Sequence, residues 1–316
     1  MVLPLTILID RSHLGYKGIL SSYLIRAKDH CAIVDPGPQR NIDEFAEYIL
    51  EYTRGTCLVE KILLTHIHLD HAGGAARLYK ILVDKYRSLG RDVKVRVVVH
   101  PRGKKHIVNP QKLWESTLQV LGDAAYFYGE PENLPENAIL IPEDHSYIEL
   151  GDTRCIKVVF TPGHASHHMS FIIEDITSTL IAGDAAGMYL YDDILPTTPP
   201  IFRYDLALES LRKLIAFNPL RIGFAHFGFS GNAVGKMKRT IDTYKYLYNL
   251  ICEYLRKRSD YTLDELYKSL ISENAIIRKW STYYERLGAP YFKNSLKNSI
   301  EGFYRYCLNA TDKKSL

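Results

Sequence analysis

An α/β fold with a helical C-terminal extension is predicted for this chain, and three observations predict it. Short apolar runs of strand length alternate with segments of helical spacing up to about residue 235. From Lys236 onward no strand pattern survives, and the residues follow helical periodicity with many tyrosines. Between the apolar run Ile62-Leu63-Leu64 and the pair Gly73-Gly74, the side chains of His66, His68, Asp70 and His71 crowd onto one turn. The division expected is a domain over residues 1–235 and an extension over residues 236–316.

The elements follow in order. Leu5 to Ile9 and Ile19 to Ile25 read as strands, with Gly15 and Gly18 marking the turn between them. Cys31 to Asp35 is a third apolar strand, stopped by Pro36-Gly37-Pro38. Asn41 to Tyr52 places Phe45, Ile49 and Tyr52 on one helical face, and Leu58 to Leu64 is a strand that ends at the histidine turn. Ala75 to Arg87 and Lys112 to Leu121 read as helices. Val93 to Val99, Ala138 to Ile141, Tyr147 to Leu150 and Arg154 to Phe160 read as strands. Met169 to Ile173 and Ser178 to Ala182 form a hairpin, Tyr189 to Pro200 is an irregular connection or a lid, Tyr204 to Phe217 is a helix, and Leu220 to Ala225 is a last strand before His226. The extension carries a helix over Leu263 to Ile271 and a break at Gly288-Ala-Pro290.

An extended turn sends alternate side chains the same way, so His66 and His68 can converge on one ion. Asp70 and His71 lie one step further round and can reach a second. Imidazole nitrogen and carboxylate oxygen are donors that zinc, iron and manganese accept. A helix N-cap would account for Asp70 alone and needs no histidines.

The run Thr65-His-Ile-His-Leu-Asp-His71 resembles the His-x-His-x-Asp-His signature of the metallo-β-lactamase superfamily, and further landmarks follow downstream. Thr161-Pro-Gly-His164 closes a strand with a tight bend, Gly183-Asp184 follows a short apolar strand, and His226 ends a late one. The resemblance covers about residues 1–235 and implies a four-layer αββα sandwich with two divalent ions, zinc first, iron or manganese as alternatives. It implies His66, His68 and His164 on one ion and Asp70, His71 and His226 on the other, with Asp184 between them. Asp35, followed by Pro-Gly, matches a family aspartate that lies close behind the metals; a plain turn residue is the alternative. His168 matches a histidine near the site in some relatives, and Tyr189 is a candidate for holding substrate oxygen. His100 is expected to be structural or at the pocket rim, and His167 is an extra histidine near the ligand turn.

The resemblance implies hydrolysis of a thioester, ester or lactone of a small molecule by a hydroxide held between the two ions, with Asp70 aiming it. The extension is like that of glyoxalase II, although Ala-Ala-Gly-Met after Asp184 and Phe-Gly-Phe after His226 depart from that branch. The carboxylate at 184, where antibiotic-hydrolysing subclass B1 enzymes place cysteine, argues against that branch. Alternatives are a persulfide dioxygenase with one iron, and a phosphodiesterase or ribonuclease of the same fold.

Composition narrows the setting. Residues 236–316 hold 16 basic and 9 acidic side chains, and residues 1–235 hold 24 and 27. A modest basic surface of this kind is ordinarily solvated, so nucleic acid is not the expected partner, while the extension is compatible with a homodimer. The five cysteines are far apart and form no Cys-x-x-Cys, which predicts no disulfide framework and a reducing, cytoplasmic setting. Met1 to Ile9 lacks the features of a signal peptide, no stretch reaches the ~20 apolar residues of a membrane span, and three glutamines among many charged residues suggest a thermophile.

Overall fold

The computed structural model describes residues 4–292 and 294–312; the first residues of the Met1 to Ile9 stretch lie outside them. The chain runs β1 (Leu5–Asp10), β2 (Ser21–Ala27), β3 (His30–Val34), α1 (Ile42–Tyr52), β4 (Leu58–Leu63), α2 (Leu69–Ala72), α3 (Ala75–Ser88), β5 (Arg96–Val98), α4 (Lys104–Val108), α5 (Gln111–Leu121), β6 (Ile139–Leu140) and β7 (Tyr147–Leu150). It continues through β8 (Thr153–Phe160), β9 (Met169–Ile173), β10 (Thr179–Gly183), β11 (Met188–Leu190), β12 (Asp193–Leu195), α6 (Tyr204–Ala216), β13 (Arg221–Phe224) and β14 (Gly228–Gly231). Four helices end it: α7 (Ala233–Lys257), α8 (Leu263–Glu273), α9 (Ala275–Leu287) and α10 (Ser295–Asp312).

Two six-stranded sheets face each other, in the orders β1-β2-β3-β4-β5-β6 and β14-β13-β10-β9-β8-β7. The strands are β-branched and apolar on both faces because both faces are covered. Tyr23, Ile25, Val34, Leu63 and Val98 of the first sheet meet Ile156, Val158, Phe171, Ile173 and Ile181 of the second in a dry core between them. Ile42, Phe45 and Ile49 of α1 and Leu78 and Leu82 of α3 cover the outer face of the first sheet. Leu208, Leu211 and Leu214 of α6 cover the second, together with Met237, Tyr244 and Leu247 of α7. This is the four-layer αββα sandwich the sequence resemblance implied.

The parallel pairings β3·β4, β4·β5 and β10·β13 give neighbouring strands a common C-terminal edge. In α/β sheets that edge is where ligands bind. The turns bearing Asp35, His66, Asp184 and His226 leave β3, β4, β10 and β13 there.

The helical extension shares a core with the sheets. Leu266, Leu270, Ile277, Trp280 and Phe303 belong to the same buried cluster as Leu180, Ile222 and Phe224. Each such side chain, buried fully, contributes about 1.5–3 kcal/mol.

The cysteine expectation is corrected. Cys31 is bonded to Cys57 and Cys252 to Cys307, and Cys155 is free and buried. Parallel pairing of His30 with Leu58 brings the first pair to a Cα separation of 5.9 Å, and packing of α10 on α7 brings the second to 5.4 Å. Such adjacency across 26 and 55 positions leaves no trace in cysteine spacing. The cysteines therefore no longer argue for a reducing compartment. No helix of the described residues is long and apolar enough to cross a membrane.

Two smaller differences concern local structure. The strand expected over Val93 to Val99 is confined to Arg96–Val98. The expected irregular stretch from Tyr189 contains a hairpin, β11 paired with β12, because Asp193 is anchored by α7 and α9.

Candidate metal centre

β4 ends at Leu63, and the chain turns through Thr65 to His66, His68 and the short helix α2, which carries Asp70 and His71. His164 arrives from the turn after β8 and His226 from the end of β13. His68 Nδ1 lies 3.0 Å from His66 Nε2 and 2.9 Å from His164 Nε2. On the other side, Asp70 Oδ2 lies 3.4 Å from His71 Nε2 and 3.5 Å from His226 Nε2. Asp184 stands between the two sets. Its Oδ2 is 3.5 Å from His164 Nε2, and its Oδ1 is 3.5 Å from His226 Nε2 and 3.7 Å from His71 Nε2. All seven residues expected as ligands meet at one point, as overlapping groups that could each hold an ion.

The rings are oriented from behind. His164 Nδ1 donates to the Thr197 carbonyl at 2.6 Å, and His226 Nδ1 to the Ile19 carbonyl at 3.2 Å. His71 Nδ1 donates to Asp35 Oδ2 at 3.2 Å. The Thr65 hydroxyl donates to the same Asp35 oxygen at 2.6 Å, so its lone pair faces His66 Nδ1 at 3.0 Å. With Nδ1 protonated, Nε2 of His66, His164 and His226 carries a lone pair toward the centre, as metal-binding histidines require, and His71 offers one once a cation displaces its Nε2 proton.

The electrostatics test whether cations fit. Burial, then the surrounding imidazoles, holds His66 and His68 well below the usual histidine range, so they are neutral donors. Burial works against a charge on His71 as well, yet Asp70, Asp184 and Asp35 overcome it and hold that ring well above the usual range. Burial opposes ionisation of Asp70, but His71 and His226 keep it far below the usual carboxylate range. The second set thus draws positive charge inward. Two central atoms, His71 Nε2 and Asp184 Oδ1, are buried without a hydrogen-bond partner. Buried groups of this kind are rarely left unsatisfied in folded proteins. The donor set and the orphaned atoms fit divalent ions.

Asp35, expected either behind the metals or as a turn residue, binds Thr65 and His71 and lies behind the cluster. His168 does not stand where a substrate could meet it. It is fully buried, Nδ1 shares a hydrogen bond with the Thr161 hydroxyl at 2.8 Å, and Nε2 accepts from Asp184 N–H at 3.0 Å. Gly183 makes room for it, since a Cβ there would lie 2.6 Å from His168 Nε2. Tyr189 is likewise turned elsewhere. Its hydroxyl donates to Asp192 at 2.8 Å, its ring stacks on Phe224 and under Lys236, and only its backbone touches the site, by hydrogen bonds with His226 and Phe227. His100 is structural, accepting the Arg102 N–H at its Nδ1.

Sequence reasoning missed several contributors. Thr197 and Ile19 act through backbone carbonyls, which carry no residue signature. Thr65 was visible only as the end of a strand. Phe292 packs edge-on to His226 at 5.9 Å, and burial followed by the charge of Asp184 pushes the hydroxyls of Tyr244 and Tyr284 up. These residues come from the extension, where helical periodicity and many tyrosines mark no site.

Comparison with known proteins agrees with this geometry. Residues 15–226 match the family described as the metallo-beta-lactamase superfamily. A metallo-beta-lactamase fold-containing protein, ST1585 of Sulfurisphaera tokodaii, is 33% identical over 214 residues, 66% of this chain and 73% of that one. Its crystal structure, described as that of an archaeal metallo-beta-lactamase superfamily protein from Sulfolobus tokodaii, aligns with a TM-score of 0.58, covering 77% of this chain and 86% of that one. TTHA1429 from Thermus thermophilus, 19% identical, shares the fold over 98% of this chain and 94% of its own, with a TM-score of 0.66. A hydroxyacylglutathione hydrolase of Francisella tularensis subsp. novicida is 26% identical over 162 residues, 51% of this chain but only 45% of that protein. On the family match, which spans more than half of its length and includes each of the seven clustered side chains, the chain belongs to the metallo-beta-lactamase superfamily.

Proposed function

We propose that the protein is a metal-dependent hydrolase that cleaves a thioester, ester or lactone bond in a small molecule. The observation that carries this reading is Asp184, whose two oxygens face two separate ligand sets 3.5 Å away on either side. In this reading His66, His68 and His164 hold one divalent ion, zinc first, Asp70, His71 and His226 hold a second, and Asp184 is shared. Bound ions of this kind lower the pKa of water from 15.7 to about 7 and polarise the oxygen of the bond under attack. Asp70 is the most open of the carboxylates, at 24% side-chain exposure, and its Oδ2 is engaged by His71 and His226. In this reading Asp70 would accept a hydrogen from the attacking water and aim it. Thr197, Ile19 and Asp35 hold the imidazole lone pairs in place, and Phe292 with the buried tyrosines excludes bulk water. The likeness to hydroxyacylglutathione hydrolases supports a thioester, while the different residues after Asp184 and His226 leave glutathione out of the proposal.

The test is metal content per chain on purified protein, followed by thioester, lactone and phosphodiester substrates offered to metal-loaded and chelated samples. About two ions per chain and chelator-sensitive hydrolysis of a thioester or lactone are expected. Failure to retain any divalent ion, or oxygen-consuming activity with one iron, refutes the reading.

A further inference from the structure

Arg102, Lys104, Lys105, His106, Glu136 and His167 line a cleft of about 630 Å³. Lys105 and His106 continue into an adjoining hollow with Lys112 on its rim. Lys104 is paired with Glu136 at 3.2 Å. Among the described residues, the side chains of Arg102, Lys105 and Lys112 enter no ion pair or hydrogen bond. Four cations face one carboxylate here, in a domain whose residues 1–235 hold more acidic than basic side chains.

The cleft is built onto the metal centre. Gly103 is pressed against Ile67, the residue between His66 and His68; a Cβ at 103 would stand 2.8 Å from Ile67 Cγ2 and 3.2 Å from Val99 Cγ1. His100 accepts the Arg102 N–H at 3.1 Å and packs its ring on Phe160, which leads into the His164 turn. The basic segment is thus clamped between two ligand turns. His167 joins cleft to cluster. Its ring centroid is 5.8 Å from that of His68 and 6.3 Å from that of His66, and its Nδ1 is buried without a partner.

We propose that this cleft is a subsite for a phosphate-bearing arm of the substrate, held by Arg102 and Lys105 while the reacting bond lies at the cluster. The inference rests on the reading that the reaction takes place at that cluster. Arginine's planar fork matches phosphate oxygens in pairs, and lysine adds a point charge. Three unpaired cations exceed what a single carboxylate requires and suit a dianion. The cleft is larger than inorganic phosphate needs and falls in the range of about 300–1,000 Å³ that organic ligands occupy.

Two measurements on the full chain test this. The first is calorimetric titration of pyrophosphate into chelated protein. Arg102→Ala/Lys105→Ala is expected to weaken binding about tenfold or more, as loss of charged hydrogen bonds does, with Arg102→Lys restoring part of it. Unchanged affinity overturns the proposal. Both residues are exposed; a second variant, Lys105→Glu/Lys112→Glu, checked for an unchanged melting temperature, guards against a folding artefact. The second measurement is the ratio of kcat/KM for one thioester on a phosphorylated thiol to that on the dephosphorylated thiol. The ratio is expected to favour the phosphorylated form about tenfold and to fall toward one in the double variant. A wild-type ratio of one overturns the proposal. If neither thioester is hydrolysed yet pyrophosphate binding is lost as expected, the thioesterase reading fails and the anion subsite stands. Single-stranded RNA that displaces pyrophosphate and is cleaved by the metal-loaded protein overturns the small-molecule assignment.

Discussion

His71 donates from Nδ1 to Asp35 Oδ2 at 3.2 Å, across 36 positions of sequence, and the same carboxylate receives the Thr65 N–H at 2.7 Å and the Thr65 hydroxyl at 2.6 Å. One side chain therefore orients a ring from each ligand set, His71 directly and His66 through Thr65. Asp35→Ala is expected to lower metal affinity about 10–100-fold, the usual effect of removing a group behind a ligand, while circular dichroism is unchanged. Chelator competition measures it, and an unaltered affinity would show the contact to be incidental.

Asp184 is expected to be indispensable to both sets. Asp184→Ala should strip metal and reduce turnover about a thousandfold or more, since several kcal/mol of charge stabilisation vanish with it. His66→Ala should act similarly through the first set alone. Full activity in a metal-poor Asp184→Ala protein contradicts the shared-carboxylate reading.

Asp193 anchors the extension. Its carboxylate receives Arg239 of α7 at 2.7 Å, Lys279 of α9 at 2.9 Å and Trp280 Nε1 at 3.3 Å. Asp193→Asn is expected to lose about 2 kcal/mol, because both cations are half-exposed and solvent screens part of the attraction. Burial pushes this carboxyl up, yet Lys279, Trp280 and Arg239 outweigh it and hold it below its ordinary value of 3.8. The stability it contributes is therefore complete above 3.8 and disappears as pH falls through the lowered native value. Urea midpoints at pH 7 and pH 3 should differ less in Asp193→Asn than in the parent protein. An equal difference in both locates the acid sensitivity elsewhere.

Gly302 of α10 lies against the backbone of Thr198 and Pro199, and a Cβ there would stand 2.7 Å from the Pro199 carbonyl oxygen and closer still to that of Thr198. The adjoining Thr197 carbonyl orients His164. Gly302→Ala is expected to cost about 1–3 kcal/mol by overpacking and to weaken metal binding although it touches no ligand. Melting temperature and metal affinity should fall together; a fall in the first alone would detach the helix from the centre.

Each of the seven clustered side chains was legible because it sits at a strand end within a short local pattern, and an imidazole or carboxylate announces its chemistry. The αββα layering followed from the same landmarks. What escaped was tertiary. Thr197 and Ile19 contribute carbonyl oxygens that every residue possesses. The Cys31–Cys57 pair depends on the register of two parallel strands. Tyr189 lay five positions beyond Asp184, but Asp192 and Lys236 draw its hydroxyl aside, and neither attraction shows in a spacing. His168, expected near the site, is committed to Thr161 and the Asp184 backbone, a commitment that no spacing shows.

The seating of Gly302 on Thr198 and Pro199 bears on how such a protein can diversify. A terminal helix with a larger residue at 302 would press on this stretch, whose neighbour Thr197 orients His164. The terminal helix and the stretch beneath it, distant in the chain, are consequently constrained to change together.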